Sequence, residues 1–393
     1  MVNMDVFYDK EIDFLKERIL TQFREIEGTT PVERVTRFFQ GKPEKVPITL
    51  VLADEWSAHY RGFTTREVST EAKKLVLSHL NMCARFNLDM WGLTFPHLYL
   101  IGPSAVGTKL SFPEDSTPMI SEPIVKKPSD VEKLEVPDMR NSGQMPYVWE
   151  TYRIVEERLN DVYPMVGERT AWLNTGCCGH PFDFAAVLRG ISQLYIDVKT
   201  NPKLVKKLCD FSADCIIEIG KIAKKDFGIT NFFLAGAAVG MLSAEQYLEF
   251  DFPATLKIKK ALEPYGVKVS CFIFKDPKIV DAITDAGMTF LGLPMPVVFS
   301  TTYWTPQKGW YPSDEDLIRD REEAESRGWP VFVFFLGHWL QEASPRRIEQ
   351  RIRRTVEILG PSTPILPVSL PRGTPIENID AYVKAMRKYA VSE

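Results

Sequence analysis

The chain alternates between short apolar runs and longer stretches in which apolar residues recur with helical periodicity. Most of the runs are continuous and rich in β-branched residues, which is typical of strands covered on both faces and not of an antiparallel sandwich. Strands that alternate with helices indicate parallel βα units, and eight such units suffice to close a (β/α)8 TIM barrel. The eight predicted strands are Val46–Asp54, Met90–Phe95, Ala171–Thr175, Thr230–Ala235, Val267–Phe274, Thr289–Leu293, Val331–Leu336 and Ile365–Ser369.

Start and stop signals support the helices between these strands. Ser344 can accept hydrogen bonds from a first helical turn, Pro345 suits the first helical position, and Gly360 can end the helix. Ser243 and Gln246 have the spacing of a capping box. We expect such helices to pack on the outside of the barrel.

Composition agrees with a barrel. The 393 residues are 45% hydrophobic and 25% charged, and barrels often exceed the usual size of one domain. We therefore expect an N-terminal helical extension over residues 1–29 and a single (β/α)8 domain over residues 30–393.

Charge and cysteine content narrow the class of protein. The net charge of −4, with both signs interspersed, argues against a nucleic-acid groove. There is no stretch of transmembrane length and no signal-peptide core at the N-terminus, so a cytoplasmic protein without membrane contact is expected. The six cysteines do not form a dense disulfide framework and are predicted to be thiols.

The richest basic cluster lies on the helix that starts near Ser344. It consists of Arg346, Arg347, Arg351, Arg353 and Arg354, which alternate with the apolar face of that helix. Two interpretations are open: a solvated outer face, or a surface that docks an acidic partner.

The carboxyl ends of barrel strands are where chemistry is expected, because the loops there can vary without disturbing the core. Four of the five histidines fall in these loops, among them His97, His180 and His338. Histidine titrates near neutral pH and ligates metals, so these side chains are candidate acids, bases or ligands. Each of them could instead be structural, and His79, inside a helix, favours a structural role.

Carboxylates and thiols at the same ends add further candidates. The pair Asp54-Glu55 could supply a general base or a metal ligand. Cys177 and Cys178 are adjacent, and such thiols either pack as small apolar side chains or serve as nucleophiles or zinc ligands. Cys271, late in a strand, is the most interesting of the cysteines.

Two long insertions are predicted to shape the mouth of the barrel. Leu98–Tyr147 contains the alternating segment Lys109–Phe112, which suits a hairpin. Val297–Arg327 is an aromatic loop that could be a lid or wall for a planar ligand, or equally a dimer contact. Its aromatic residues are Tyr303, Trp304, Trp310 and Tyr311.

A series of short motifs, in this order, resembles the uroporphyrinogen decarboxylase superfamily, and the resemblance runs from about residue 30 to residue 390 and implies a (β/α)8 barrel. The motifs are Thr30–Arg34 (TPVER), Gly41–Pro47 (GKPEKVP), Asn87–Asp89 (NLD), Gly107–Asp115 (GTKLSFPED), Gly179–Phe182 (GHPF), Leu188–Gly190 (LRG) and Arg372–Ile379 (RGTPIENI).

The chain departs from both well-known branches of that superfamily. Uroporphyrinogen decarboxylases carry an arginine-rich N-terminal signature that binds propionates, whereas the corresponding stretch here offers only Arg61. Corrinoid-dependent methyltransferases bind zinc through His-x-Cys and a later Cys. Here Cys271 matches, Val269 stands where the histidine is expected, and no cysteine remains around Pro367–Ser369, where the last ligand is expected. A relocated zinc site would use Cys271 with Glu55 and His338, or with His97.

The resemblance implies an enzyme that moves a methyl group between a small-molecule donor and a corrinoid (cobalamin) carried by a partner protein. It also implies a homodimer. In this interpretation Glu55, His97, His180 and His338 are catalytic. Trp56, Arg61, Tyr303, Trp304 and Arg372 bind the substrate.

Two alternatives stay open. The first is a decarboxylase or other lyase of a small acid or a porphyrin-related compound, whose carboxylate would meet Arg61, Arg372 and Lys275. The second is a non-catalytic barrel that binds a tetrapyrrole or a partner.

Overall fold

The computed structural model describes residues 4–39, 45–89, 95, 98–162, 179–271, 276–290, 298–301 and 310–390. Within these ranges the first nine helices are α1 (Met4–Glu27), α2 (Pro31–Phe39), α3 (Asp54–Arg61), α4 (Thr65–Thr70), α5 (Ala72–Phe86), α6 (Ile101–Val106), α7 (Met145–Arg158), α8 (Pro181–Arg189) and α9 (Ile191–Thr200). The remaining helices are α10 (Pro202–Phe227), α11 (Ala244–Gln246), α12 (Phe252–Leu262), α13 (Pro277–Asp285), α14 (Asp314–Arg327), α15 (His338–Glu342), α16 (Pro345–Leu359) and α17 (Ile376–Tyr389). The strands are β1 (Lys109–Ser111), β2 (Met119–Glu122), β3 (Asn231–Leu234), β4 (Lys268–Cys271), β5 (Thr289–Phe290), β6 (Val298–Thr301), β7 (Val331–Leu336) and β8 (Ile365–Val368).

The chain forms two compact units. The terminal unit comprises Met1–Leu93, Ile154–Gly167 and Met295–Glu393, and the central unit comprises Thr94–Arg153 and Glu168–Pro294. Among the described residues, no helix is long and apolar enough to cross a membrane.

The terminal unit contains a parallel sheet in the order β6-β7-β8. Val51 extends this sheet through a parallel bridge to Val368. Of the first predicted strand, Val46–Asp54, only Val51 pairs in this way; residues 46–50 form no regular strand, and Asp54 already begins α3. The last two predicted strands are confirmed, at Val331–Leu336 and Ile365–Val368.

The central unit contains a second parallel sheet, in the order β3-β4-β5. Gly179 extends it through a parallel bridge to Ala235. The strand predicted at residues 230–235 is confirmed as β3, and those predicted at 267–274 and 289–293 are confirmed in their described parts as β4 and β5. The predicted hairpin is present as the antiparallel pair β1-β2. Residues 90–94 and 171–175, in the second and third predicted strands, lie outside the described residues.

The prediction of one long aromatic loop at Val297–Arg327 is wrong at both ends. Its start is the strand β6, which pairs with β7, and its end is the helix α14. Ser313 caps α14 by accepting a hydrogen bond from the Asp316 backbone, and this cap fixes where the helix begins.

Helices cover the sheets with apolar faces. In the terminal unit, α16 packs against α17 and α14, and α1 packs against α5. In the central unit, the long helix α10 packs against α8 and α12. The observed architecture is thus α/β with parallel strands. Its closure into a single eight-stranded barrel domain, with residues 1–29 as an extension, stays a prediction.

A buried group of charges ties the two ends of the terminal unit together. Arg34 forms ion pairs with Glu27 and Asp89, and Lys45 lies 2.9 Å from Glu27. Arg387 on α17 lies 3.6 Å from Glu27 and donates hydrogen bonds to the carbonyls of residues 86 and 87. Two of the motifs noted above, TPVER and NLD, therefore meet through Arg34 and Asp89. We call this group the Arg34 clasp.

Candidate active site

His180 is the best-positioned of the predicted catalytic residues. It follows directly after the bridge between Gly179 and Ala235, and it precedes the first residue of α8. Its side chain is fully buried, and its Nδ1 lies 2.9 Å from Oδ2 of Asp251. This contact engages Nδ1 and fixes the orientation of the ring. Nε2 is therefore the nitrogen at which the imidazole can exchange a proton.

Asp251 is presented by an unusual element. Residues Tyr247–Asp251 form a π-helical turn between α11 and α12, and such turns occur frequently at functional sites. The carboxylate of Asp251 also accepts hydrogen bonds from the Phe182 backbone N–H at 2.8 Å and from the Thr255 hydroxyl at 3.0 Å. Both carboxylate oxygens are thus committed to orienting this end of α8.

A second carboxylate, Asp183, lies one turn further along α8. It accepts hydrogen bonds from the backbone N–H groups of Ala237 and Ala238, both at 2.8 Å, and of Val239 at 3.2 Å. Complete burial nevertheless raises the pKa of the Asp183 carboxyl to about 6. A Cβ at Gly236 would lie 2.1 Å from Oδ2 of Asp183, so only glycine fits there.

Cys271 ends β4 in the same unit and is fully buried. Burial raises the pKa of its thiol well above the usual value, and the charge of Asp251 raises it further. The same two causes raise the pKa of the Tyr247 hydroxyl. Cys271 and Tyr247 are therefore a protonated thiol and a protonated phenol close to the His180–Asp251 pair.

The described residues do not fit a zinc ion at Cys271. In the ranges given above, no three His, Cys, Asp or Glu side chains are grouped so that they could hold a metal ion. Asp251, the carboxylate whose charge acts on Cys271, already uses its oxygens for His180, Thr255 and the backbone of α8. The suggested set of Cys271 with Glu55 and His338 is thus not seen as a group in the described part of the chain.

The terminal unit holds the remaining described candidates. Glu55, half-buried, lies in the first turn of α3. Trp56 is buried, and its indole N–H donates to the carbonyl of Thr374 at 2.9 Å. This hydrogen bond brings α3 and the segment containing Arg372 together.

Arg61, at the end of α3, is held by a carboxylate of α1. Its guanidinium contacts both oxygens of Glu11 at 2.7 Å and lies 5.0 Å from the centre of the Phe63 ring. A substrate carboxylate would have to displace Glu11 to use this arginine.

His338 begins α15, immediately after β7. Its ring stacks on that of Trp310, with ring centres 5.0 Å apart and planes 25° apart. The backbone of Trp310 is fixed there because its carbonyl accepts from the N–H of Leu336 at 3.0 Å. The sequence pattern placed His338 at the end of this strand and Trp310 in the aromatic loop, and it did not pair them.

Two features of the sites were missed by sequence reasoning. Asp54, rather than Glu55, is the buried member of its pair, and Nε2 of His79 lies 3.0 Å from its Oδ1. Asp183 was not singled out, although its place three residues after His180 in the GHPF region was a usable signal. His97, Tyr303 and Trp304, with Cys177, Cys178 and Lys275, lie outside the described residues.

The chain is similar in sequence to proteins of known families. The sequence model of the family described as uroporphyrinogen decarboxylase (URO-D) matches residues 30–389. The chain is 23% identical over 295 residues to a methylated-thiol–coenzyme M methyltransferase of Methanosarcina mazei, covering 72% of this chain and 68% of that protein. It is 24% identical over 342 residues to a uroporphyrinogen decarboxylase of Pelobacter propionicus, covering 79% and 94%.

The chain is also similar in fold to a solved structure. A methyltransferase from Methanosarcina mazei superposes with a TM-score of 0.66 at 15% identity, over 92% of this chain and 99% of that one. At this identity the likeness establishes a shared fold.

Proposed function

Because this chain belongs to the uroporphyrinogen decarboxylase family, we propose that it is a methyltransferase-like enzyme that moves a methyl group between a small-molecule donor and a corrinoid carried by a partner protein. The observation that carries this proposal is the buried His180–Asp251 pair at the end of the central sheet. We also propose that the parallel strands close into a (β/α)8 barrel, and that the enzyme is a cytoplasmic homodimer.

In this mechanism the bond between the methyl carbon and its heteroatom breaks, and the heteroatom leaves with the bonding electrons. A reduced corrinoid, when bound, would supply the electron pair for the new bond to the methyl carbon. His180 transfers the Nε2 proton to the leaving heteroatom, which must lie within about 3 Å of that nitrogen. The carboxylate of Asp251 stabilises the ring while it carries the proton.

The other predicted residues keep supporting roles in the proposal. Glu55, His97 and His338 are further candidate acids or bases, and Trp56, Arg61, Tyr303, Trp304 and Arg372 are candidate substrate contacts. No step uses zinc, because the described residues do not fit it.

A decarboxylase is the second candidate, and one observation favours it. The similarity to the Pelobacter propionicus decarboxylase extends over 94% of that protein. The engagement of Arg61 by Glu11 argues against it, because a substrate with many carboxylates needs free cationic partners.

The test is a methyl-transfer assay with free reduced cobalamin and a panel of methyl thioethers, methylamines and aryl methyl ethers, followed by the absorption spectrum of cobalamin. We expect at least one donor to react. His180→Asn and Asp251→Asn should lower kcat by about 100-fold, the usual range for losing a general acid or its orienting group.

His59→Asn, at an exposed position, is the matched control and should keep full activity. If the wild type transfers no methyl group but releases carbon dioxide from uroporphyrinogen, the chain is a decarboxylase. Full activity of both site variants would remove His180 from the mechanism.

A further inference from the structure

A surface groove in the terminal unit is lined by residues other than the His180–Asp251 pair, and its Trp310 stacks on His338. We call it the Trp310 groove. It has a volume of about 390 Å³, and the residues that line it are Trp310, Tyr311, Pro312, Ser313, Trp339, Arg347, Gln350, Arg351 and Arg354. A volume of this size is within the range of small-molecule sites, which begins at roughly 300 Å³.

The aromatic side of the groove is rigid. Tyr311 and Trp339 are both buried, with ring centres 4.7 Å apart. The Tyr311 hydroxyl lies 2.9 Å from the Thr355 hydroxyl. The guanidinium of Arg351 lies 4.9 Å from the centre of the Tyr311 ring and hydrogen bonds to Asp314 and to the carbonyl of Pro312. These contacts fix the two rings, whose planes are 51° apart, as one side of the groove.

Trp310 forms part of the rim. It is half-buried, it stacks on His338, and its indole N–H donates to Glu342 at 3.1 Å. The indole is therefore held in one orientation while part of its surface stays accessible to a ligand.

The opposite rim is cationic. Arg354 pairs with Asp314 at 2.9 Å and more weakly with Glu357 at 3.5 Å. Arg347 is exposed and, in the part of the chain that the structure describes, pairs with no carboxylate. Asp314 is shared between Arg351 and Arg354, which leaves Arg347 as the arginine of this rim that is available to an added carboxylate.

We propose that the Trp310 groove binds a small aromatic carboxylate. The ring of the ligand packs against Trp310 and the side formed by Tyr311 and Trp339. Its carboxylate accepts two hydrogen bonds from the guanidinium of Arg347, and Arg354 adds a further positive charge. Guanidinium groups bind carboxylates through two parallel hydrogen bonds, and rings stack readily on Trp and Tyr. This site is independent of the His180–Asp251 pair.

The experiment is calorimetric titration of the full-length protein with 1-naphthoate, and with 1-naphthylmethylammonium as the cationic match. We expect 1-naphthoate to bind with one site per chain, and the cation to show no binding. Arg347→Gln should weaken 1-naphthoate binding by about tenfold, the effect of losing one charged hydrogen-bond pair.

Arg346→Gln is the matched control, because Arg346 is an exposed neighbour on the same helix that does not line the groove. It should change the affinity less than about twofold. The proposal is overturned by an absence of 1-naphthoate binding at millimolar concentration, by equal weakening in both variants, or by undiminished binding in Arg347→Gln. A thermal unfolding curve for each variant confirms that the fold is intact.

Discussion

The carboxyl group of Asp183 is buried away from solvent. Its three backbone donors belong to residues 237–239, directly after β3, and Gly236 leaves the space that the carboxylate needs. Burial outweighs these donors and the nearby His180, so the pKa is raised to about 6. The protonation of one residue is thereby coupled to the stability of the fold.

The direction of that coupling can be worked out. The carboxyl has a pKa near 3.8 when exposed and about 6 in the native protein, so the native state binds more protons between these values. Relative to Asp183→Asn, the wild type should be most stable below about pH 4 and should lose on the order of 3 kcal/mol as the pH rises to about 6. Urea unfolding of both proteins across this range measures the difference.

Asp130→Asn provides a control of opposite sign. Asp130 is half-buried, and a hydrogen bond from the Lys127 backbone lowers its pKa. The contribution of this residue to stability should be small and should fade as the pH falls. If the stability of the wild type relative to Asp183→Asn increased as the pH rises, the raised pKa of Asp183 would be contradicted.

Single residues also show where sequence reasoning stops. His180 could be identified from its place after a predicted strand, and a structural role was its open alternative. Its partner Asp251 lies 71 residues further along the chain, and His79 lies 25 residues from Asp54. Such pairs depend on which helices pack together, and no local pattern records this.

Among the elements, the segment from Ser243 to Asp251 connects a local signal with the site. The hydroxyl of Ser243 accepts from the Gln246 N–H at 3.2 Å, and the Gln246 side chain accepts from the Ser243 N–H at 3.0 Å. The predicted capping box is therefore confirmed. It starts α11, which leads directly into the π-helical turn that presents Asp251.

Ser243→Ala should destabilise the protein by about 1 kcal/mol, because one first-turn N–H loses its acceptor. The shift of the urea midpoint reports this loss. Ser326→Ala serves as the control: its hydroxyl is exposed inside α14 and binds only a carbonyl of the preceding turn, so its removal should be close to neutral. Equal effects of the two substitutions would show that the cap has no special role.

Element types were easier to predict than their limits. Continuous apolar runs identified β7 and β8 closely, since strands buried on both faces have that pattern. The strand β6 was counted as part of a loop, because its four residues are recognisable only through their pairing with β7. The π-helical turn leaves no distinct pattern either, since its apolar positions resemble those of an α-helix.

At the scale of the whole molecule, the two units differ in how the chain builds them. The central unit is made from two stretches that lie within residues 94–294, and the terminal unit needs three stretches from residue 1 to residue 393. Its sheet joins Val51 to Val368. The hydrophobic pattern predicted one continuous series of βα units. It could not predict the division into two units, because that division depends on which distant segments pack together.

The Arg34 clasp has a consequence for the order of events during synthesis. Glu27 and Arg34 leave the ribosome early, yet Arg387, which completes their charge group, must wait for more than 350 further residues. The central unit can form its internal contacts during this time, since domains generally fold as units during synthesis.

Nascent chains arrested after residue 330 has emerged should therefore resist brief proteolysis within residues 179–271 and be cleaved within residues 45–89. Arrested chains with residue 390 exposed should be protected in both regions, and early protection of residues 45–89 would mean that the first segment folds without its distant partners.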